Sequence, residues 1–342
     1  MKTLLSKNWR LTLLLLIAGI SVAQQQPMPA PLVTEIAAVN MTVSDMERSI
    51  AFYSQVLDFQ KISDDEVTGE VYEHLEGVFG LRMRVVHMRL GEESIELTEY
   101  LAPRGRPIPT DAHSNDRSFQ HIAIIVSDMN QAYRRLREHK AEFASSGPQR
   151  LPDWNKNAAG IEAFYFKDPD GHPLEILHFP PDKGSENWHH PGNRLFLGID
   201  HTAIVVADTE TSLHFYRDVL GMHVAGESEN YGTEQEHLNN VFGAHLRITS
   251  LRSSTGPGIE LLEYLAPRTG LPYPADEHAN DIIHRETIAI TSGADRAAAK
   301  LLQSRSNFVS SGVVSESDAR VGFHKAFLVR DPDGHAVLIE EK

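Results

Sequence analysis

Two stretches of this 342-residue chain repeat one another and set carboxylates and imidazoles among apolar residues. His74-Leu75 through Val78-Phe79-Gly80, then Ile95-Glu96-Leu97-Thr98-Glu99-Tyr100-Leu101-Ala102-Pro103-Arg104, return as His237-Leu238, Val241-Phe242-Gly243 and Ile259-Glu260-Leu261-Leu262-Glu263-Tyr264-Leu265-Ala266-Pro267-Arg268. These segments read as apolar strands whose inward positions hold His or Glu. A charged side chain on the buried face of a strand costs several kcal/mol unless it is paired or holds a metal. The repeat therefore marks a candidate site. The chain has no cysteine, so thiol nucleophiles and disulfides are excluded and a metal site must be built from His and carboxylates.

The elements that would position these residues recur at a shorter period. Val39 to Val43 is apolar and strand-like, and Ser44-Asp45-Met46-Glu47 opens a helix whose apolar face is Met46, Ile50, Phe52, Tyr53 and Leu57. Three strands are expected to follow, near residues 70–74, 82–90 and 94–100. The same order returns after His121 with strand Ile122 to Val126, a Ser127-Asp128 cap, helix Met129 to His139 and strands ending in Leu174 to His178. Third and fourth units begin at His201 and near Glu286. The chain thus reads as an α+β protein of four βαβββ modules, the fourth being the most degenerate. Asp168-Pro169-Asp170-Gly171 and Asp331-Pro332-Asp333-Gly334 precede the last strands of the second and fourth modules. Both are read as hairpin turns, with Pro presetting the turn and Gly taking the positive φ, since a calcium loop needs more oxygen ligands at alternate positions.

Residues 1–23 read as an export signal, with Lys2, Lys7 and Arg10 before the apolar run Leu11 to Ile20 and a small-residue cleavage site at Ser21-Val22-Ala23. That run falls short of the roughly 20 residues a spanning helix needs. The mature protein is therefore expected to be periplasmic or secreted, without a membrane association. Residues 24–34, rich in Gln and Pro, are expected to form a disordered lead-in. Residues 35–179 and 195–342 are the two repeats, and the polar stretch 180–194 is a linker in which Trp188-His189-His190 is expected to face solvent. The formal net charge is −15, which repels phosphate backbones and anionic lipid, so nucleic acid is not an expected partner.

His201-Thr202-Ala203-Ile204-Val205-Val206-Ala207-Asp208, leading into Ser212-Leu213-His214-Phe215-Tyr216-Arg217-Asp218-Val219-Leu220-Gly221-Met222, resembles the opening strand and helix of the vicinal oxygen chelate superfamily. Asp168-Pro169-Asp170-Gly171-His172-Pro173-Leu174-Glu175 resembles its closing hairpin. The superfamily includes glyoxalase I, extradiol dioxygenases, methylmalonyl-CoA epimerase and metal-free bleomycin-binding proteins. The resemblance implies modules paired into two half-open eight-stranded barrels, with one metal ligand from the first strand and one from the last strand of each intact module. Carried over residue by residue, the first module offers Ala38 and Glu96, the second His121 and Glu175, and the third His201 and Glu260. The fourth places Glu286 or Thr287 at its first ligand position and Leu338 at its last, with Glu340 two residues late, and so reads as inactive.

Pairing first with second and third with fourth would put Glu96, His121 and Glu175 in one cup and His201 with Glu260 in the other. Pairing second with third collects His121, Glu175, His201 and Glu260 in one cup, leaves the other empty and gives Glu96 no obvious partner. The second arrangement is preferred because it gathers the intact ligands. The resemblance then implies one divalent ion, Zn, Ni, Mn, Fe or Co, and a small substrate with adjacent oxygens. The ion would polarise a carbonyl and stabilise an enediolate, while Glu175 or Glu260 shuttles a proton, giving isomerase, epimerase or lyase chemistry. An Fe(II) extradiol-type dioxygenase is the second reading and a metal-free binding or sequestering protein the third. Glutathione and coenzyme A substrates are cytosolic, so an exported member is expected to act on a small free oxygenated molecule. Arg104 and Arg268 are candidates to grip a substrate carboxylate, Tyr100 and Tyr264 to line the cup, and Glu96 is a further possible ligand. A monomer or a homodimer is expected.

Overall fold

A computed structural model describes residues 30–316 and 322–342; the expected leader, residues 1–23, lies outside them. The first module comprises β1 (Glu35–Thr42), α1 (Met46–Leu57), β2 (Gln60–Thr68), α2 (Glu70–Glu76), β3 (Arg82–Leu90) and β4 (Glu93–Ala102). The second comprises β5 (Gln120–Val126), α3 (Met129–Glu138), the short β6 (Glu142–Phe143) and β7 (Gln149–Arg150), then β8 (Glu162–Lys167) and β9 (Pro173–His178). The third has β10 (Phe196–Val206), α4 (Thr209–Leu213) running into a π-helical turn, β11 (His223–Tyr231), α5 (Thr233–Asn239), β12 (His245–Arg252) and β13 (Gly258–Ala266). The fourth has β14 (Arg285–Ile290), α6 (Ala294–Gln303), β15 (Asn307–Phe308), β16 (Val314–Ser315), β17 (Lys325–Arg330) and β18 (Ala336–Glu341).

Of the two pairings open to the sequence, the chain adopts the preferred one. One sheet runs β11-β12-β13-β10-β5-β9-β8-β6 and joins the third module to the second, while the other runs β15-β17-β18-β14-β1-β4-β3-β2 and joins the fourth to the first. Each has eight positions, with the short β7 or β16 as a second partner beside β6 or β15. The central strands β5 and β10 are buried along their whole length, and carry Gln120-His121 and Asp200-His201 among their apolar residues. The outermost β2 and β11 are polar and largely exposed, which blunts the sheet edges against pairing with another chain.

The helices sort differently from the sheets. α1 and α3, from the first repeat, share one core built around Met46, Tyr53, Leu57, Met129, Leu136 and Phe164. The second repeat's α4, π turn and α6 share another around Leu213, Tyr216, Leu301 and Phe327. Each repeat therefore buries the opening helices of its two modules together and contributes one half of each sheet, while α2 and α5 pack against modules of the other repeat.

Asp45, Asp128 and Asp208 cap α1, α3 and α4 by accepting the backbone N–H of Arg48, Gln131 and Thr211. Asp168 and Asp331 head the two expected hairpin turns, and Gly171 and Gly334 have φ of 94° and 108°. Asp168 accepts the Tyr53 hydroxyl at 3.2 Å and His172 Nδ1 at 2.8 Å, and His172 Nε2 reaches the Ile282 carbonyl at 2.7 Å. Tyr216 and His335 repeat this arrangement on Asp331.

Two segments, 103–119 and 267–284, carry the chain between the sheets and run against each other. Arg106 grips Asp281 at 2.6 Å, and Leu271 N–H donates to Asp116 at 2.7 Å. Gly105 and Gly270 lie so close to the opposite backbone that a Cβ would overlap the Asn280 and Asn115 carbonyls. Buried Arg285, at the start of β14, donates to the Ser118 carbonyl at 2.9 Å and to that of Gln120.

Three expectations need correction. Residues 70–74 are helical, not a strand, and bury Tyr72 and Leu75 at helical spacing; the strand lies earlier, at β2, hidden by its polar edge composition. His74 and His237, taken as inward strand positions, are on the exposed faces of α2 and α5. The expected lead-in ends before Leu32, since Leu32 and Val33 are buried and donate to the Leu220 carbonyl at 3.0 Å.

Candidate functional site

Strand register assembles the site in the sheet shared by the second and third modules. β5 and β10 run antiparallel with His201 opposite Ala123 and Ala203 opposite His121. Parallel β9 sets Glu175 beside Ala123, and parallel β13 sets Glu260 beside Ala203. Two rungs result, His201-Ala123-Glu175 and Glu260-Ala203-His121, each with an alanine between its polar residues that leaves room at the centre.

The four side chains meet there. His121 Nε2 lies 3.2 Å from Glu175 Oε2, and His201 Nε2 lies 3.8 Å from the same oxygen and 3.3 Å from Glu260 Oε2. The two imidazole rings are 5.8 Å apart, and ligand atoms of His121, Glu175 and His201 all lie within 4.8 Å of one another. His121, Glu175 and His201 are buried, while the Glu260 side chain is 22% exposed and its Oε1 accepts the Ser250 hydroxyl.

A second layer orients His201. Its Nδ1 bonds Asp200 Oδ2 at 2.9 Å, and Asp200 in turn accepts Arg252 at 2.7 Å and the Trp188 indole N–H at 3.1 Å. Burial opposes ionisation of both partners. The His201, Arg252 and Trp188 contacts nonetheless hold the Asp200 carboxyl well below its usual range, and Glu260, Asp200 and Glu175 raise His201 to about 9. Nδ1 is committed to Asp200, which aims Nε2 at the centre.

His121 is the informative member. Its Nδ1 has no partner and its Nε2 only the 3.2 Å approach to Glu175, without hydrogen-bond geometry, although buried polar atoms ordinarily have a partner. Two inward imidazoles and two carboxylates, one imidazole otherwise unsatisfied, fit a borderline divalent ion.

The site opens into a cavity of about 990 Å³ lined by Tyr165, Trp188, Lys156, Arg252, Ile248 and Leu262, among others. Tyr165 and Trp188 were not found by sequence reasoning. The Tyr165 ring is 4.8 Å from His121, directly beside Glu175 in register; its place at an inward position of β8 was the available signal. Trp188 corrects the solvent-facing reading of its run, being half-buried against Asp200, whereas His190 stays exposed.

The other candidates lie elsewhere. Arg104 and Arg268 are not in this cavity; they are largely exposed and pair with Glu99 and Glu263 at 3.4 and 3.2 Å. Those two acids accept the first helical N–H groups, of Met46 and Thr209. The repeated arginines thus belong to helix starts. Tyr264 is buried with its hydroxyl accepting from Asn239 at 2.7 Å, and Tyr100 donates to Glu76 at 3.2 Å.

Glu96 faces a second cavity, of about 320 Å³, between the first and fourth modules. This cup is not the empty one expected. The rung equivalent to His201-Ala123-Glu175 is Ala38-Ile288-Leu338, but the other is Glu96-Asn40-Glu286. Glu76 and Glu340 also line it, so the supposedly inactive fourth module supplies two buried acids.

Burial and neighbouring carboxylates, Glu286 for Glu96 and Glu96 for Glu340, raise both groups from 4.5 to about 8. Between these values the folded chain holds protons that the unfolded chain releases, so both groups make stability fall as pH rises from about 4.5 to about 8. The thermal midpoint of Glu96→Gln should therefore exceed that of the unsubstituted protein by more at pH 8 than at pH 5. Equal margins at the two pH values would refute this account of the second cup.

A family model described as Glyoxalase/Bleomycin resistance protein/Dioxygenase superfamily matches residues 35–176 and again 198–339. A 2-epi-5-epi-valiolone epimerase from an Actinomyces species is 27% identical over 147 residues, 42% of this chain and 78% of that protein. Glyoxalase I of Saccharomyces cerevisiae is 27% identical over 114 residues, spanning 33% of this chain and 31% of the yeast protein. Among solved structures, glyoxalase I from Zea mays superposes with a TM-score of 0.58 at 15% identity, covering 90% of this chain and 92% of the maize chain. A putative dioxygenase from Bacillus subtilis gives 0.54 at 14% identity, covering 91% and 86%. At these identities the structural likeness is one of fold.

Proposed function

Because the chain belongs to the Glyoxalase/Bleomycin resistance protein/Dioxygenase superfamily, we propose that it is an exported enzyme that uses one divalent metal ion and acts on a small substrate with adjacent oxygens, as an isomerase, epimerase or lyase. The observation that carries this reading is buried His121, with no hydrogen bond to either nitrogen, converging with His201, Glu175 and Glu260. The epimerase and glyoxalase I names of its two curated relatives agree with the reaction class.

His121, His201, Glu175 and Glu260 would hold the ion, whose contribution when bound is Lewis-acid polarisation of a substrate carbonyl. The chain's own residues supply the rest. Asp200 fixes the His201 ring through Nδ1. Glu260 is the more exposed carboxylate, anchored through Oε1 by Ser250 with Oε2 toward the centre. It is the group placed to take a proton from the carbon beside the carbonyl and return it. Tyr165 and Trp188 give the cavity aromatic walls beside the centre, and Lys156 at the lining offers an ammonium to an anionic substrate.

Metal analysis of the purified protein, followed by substrate-dependent exchange of a carbon-bound proton in D₂O, tests this reading. An absence of stoichiometric metal would move the protein to the metal-free binding class. Asp200→Asn should weaken metal binding about 10–100-fold, measured by competition with a chelator; an unchanged affinity would mean that His201 is not a ligand.

One observation favours a second reading. His121, Glu175 and His201 alone form a tight group of two imidazoles and one carboxylate, the set used by non-haem Fe(II) oxygenases, if Glu260 stands off. Oxygen uptake with a panel of catechols on iron-loaded protein decides between the two.

A further inference from the structure

The second cup lies outside the proposed catalytic machinery, and the acids that line it or stand behind it are of two kinds. Glu286 and Glu277 are neutralised within the protein: His284 bonds Glu277 through Nδ1 at 2.6 Å and Glu286 through Nε2 at 2.8 Å, Arg330 closes on Glu277, and Asn40 donates to Glu286. Glu76 accepts from Tyr100. Ligand atoms of Glu76, His284 and Glu286 do come within 4.8 Å of one another. However, both imidazole nitrogens are already committed, and a metal there would have to break a buried ion-pair network.

Glu96 and Glu340 are different. Neither carboxylate makes a hydrogen bond among the described residues. Glu96 has His87 at the rim at 3.3 Å, and Glu340 reaches only Lys342 Nζ at 4.0 Å. The Glu340 side chain is 10% exposed and lines the cavity, so its oxygens face the open volume and no protein donor among the described residues is turned to them. Leu75, Met83, Val85, Phe323 and Leu338 supply the apolar part of the same lining. The volume is far larger than a bare ion requires and falls within the range of small-molecule pockets.

We propose that this cavity binds a small organic cation, a protonated amine on an apolar body, with Glu96 and Glu340 as its counter-ions and the apolar wall receiving the body. The ammonium supplies the hydrogen-bond donors both carboxylates lack, and it displaces the protons they otherwise retain. The site does not depend on the metal reading of the first cup.

The test is calorimetric titration of the full chain with benzylammonium chloride at about pH 7.5, with benzyl alcohol as the neutral isostere and zinc chloride as the bare cation. Benzylammonium should saturate one site, bind at least about ten-fold tighter than the alcohol, and release protons, seen as a buffer-dependent heat. Glu340→Gln and Glu96→Gln should each weaken it at least about ten-fold, while His121→Ala, in the other cavity, leaves it unchanged. The proposal is overturned if benzylammonium shows no saturable binding, if alcohol and ammonium bind alike, or if both Gln variants retain full affinity. It is equally overturned if zinc binding is lost in Glu340→Gln while benzylammonium is ignored. Should either variant fail to fold, proton release and the ammonium-over-alcohol preference of the unsubstituted protein decide the matter.

Discussion

His121→Ala and His201→Ala should each abolish binding of the proposed divalent ion while leaving the fold intact. The two imidazoles come from strands of different repeats, yet both Nε2 atoms face the one Glu175 Oε2, at 3.2 and 3.8 Å. A shared ion loses one of at most four protein ligands in either variant. The loss in affinity should exceed the roughly 10–100-fold typical of outer-layer changes. Inductively coupled plasma mass spectrometry after dialysis, with circular dichroism as the folding control, reads the result. If one variant keeps a full equivalent of metal while the other loses it, the single shared centre is wrong.

A large stability loss should follow substitution of Asp168. Its carboxylate is fully buried and accepts the Tyr53 hydroxyl, His172 Nδ1 and the backbone N–H groups of Asp170 and His172. Burial opposes its charge, but His172 and these hydrogen bonds hold its pKa below the usual carboxylate value. Asp168→Ala leaves a buried imidazole and hydroxyl without their acceptor and unties α1 from the β8–β9 turn. Breaking such a pair costs about 3–5 kcal/mol. Asp153→Ala, which removes an exposed pair with Arg150 at 2.9 Å, should cost under about 1 kcal/mol. Urea midpoints of the two variants give the comparison, and similar small shifts in both would show that the Asp168 network contributes little.

Much of the fold was legible because its signals are local and repeated. Asp45, Asp128 and Asp208 mark helix starts, the Asp-Pro-Asp-Gly turns mark closing hairpins, and His121, Glu175, His201 and Glu260 occupy equivalent rungs. Crosswise pairing was readable only because the intact ligand pairs belong to adjacent modules. β2 was missed because Gln60–Thr68 is a polar edge strand with little alternation, and α2 because seven residues hold barely two turns.

Arg104 and Arg268 misled because their repetition has a structural cause, a Glu five residues earlier that caps a helix. Glu340 was discounted for sitting two residues beyond its expected position, yet every alternate residue of a strand faces the same side, and a glutamate is long enough to reach the cup. Trp188 carried no periodic signal because it stands in a polar connecting segment.

Arg285 immediately precedes Glu286, which faces the smaller cavity, and it holds the carbonyl of Gln120, which immediately precedes His121 in the larger one. This guanidinium is thus one direct tie between the two chambers, beside the Arg106–Asp281 and Leu271–Asp116 contacts. Its hydrogen bond joins the first residue of β14 directly to the first residue of β5. Any factor by which filling one chamber alters affinity in the other must reappear, equal in size, in the reverse direction.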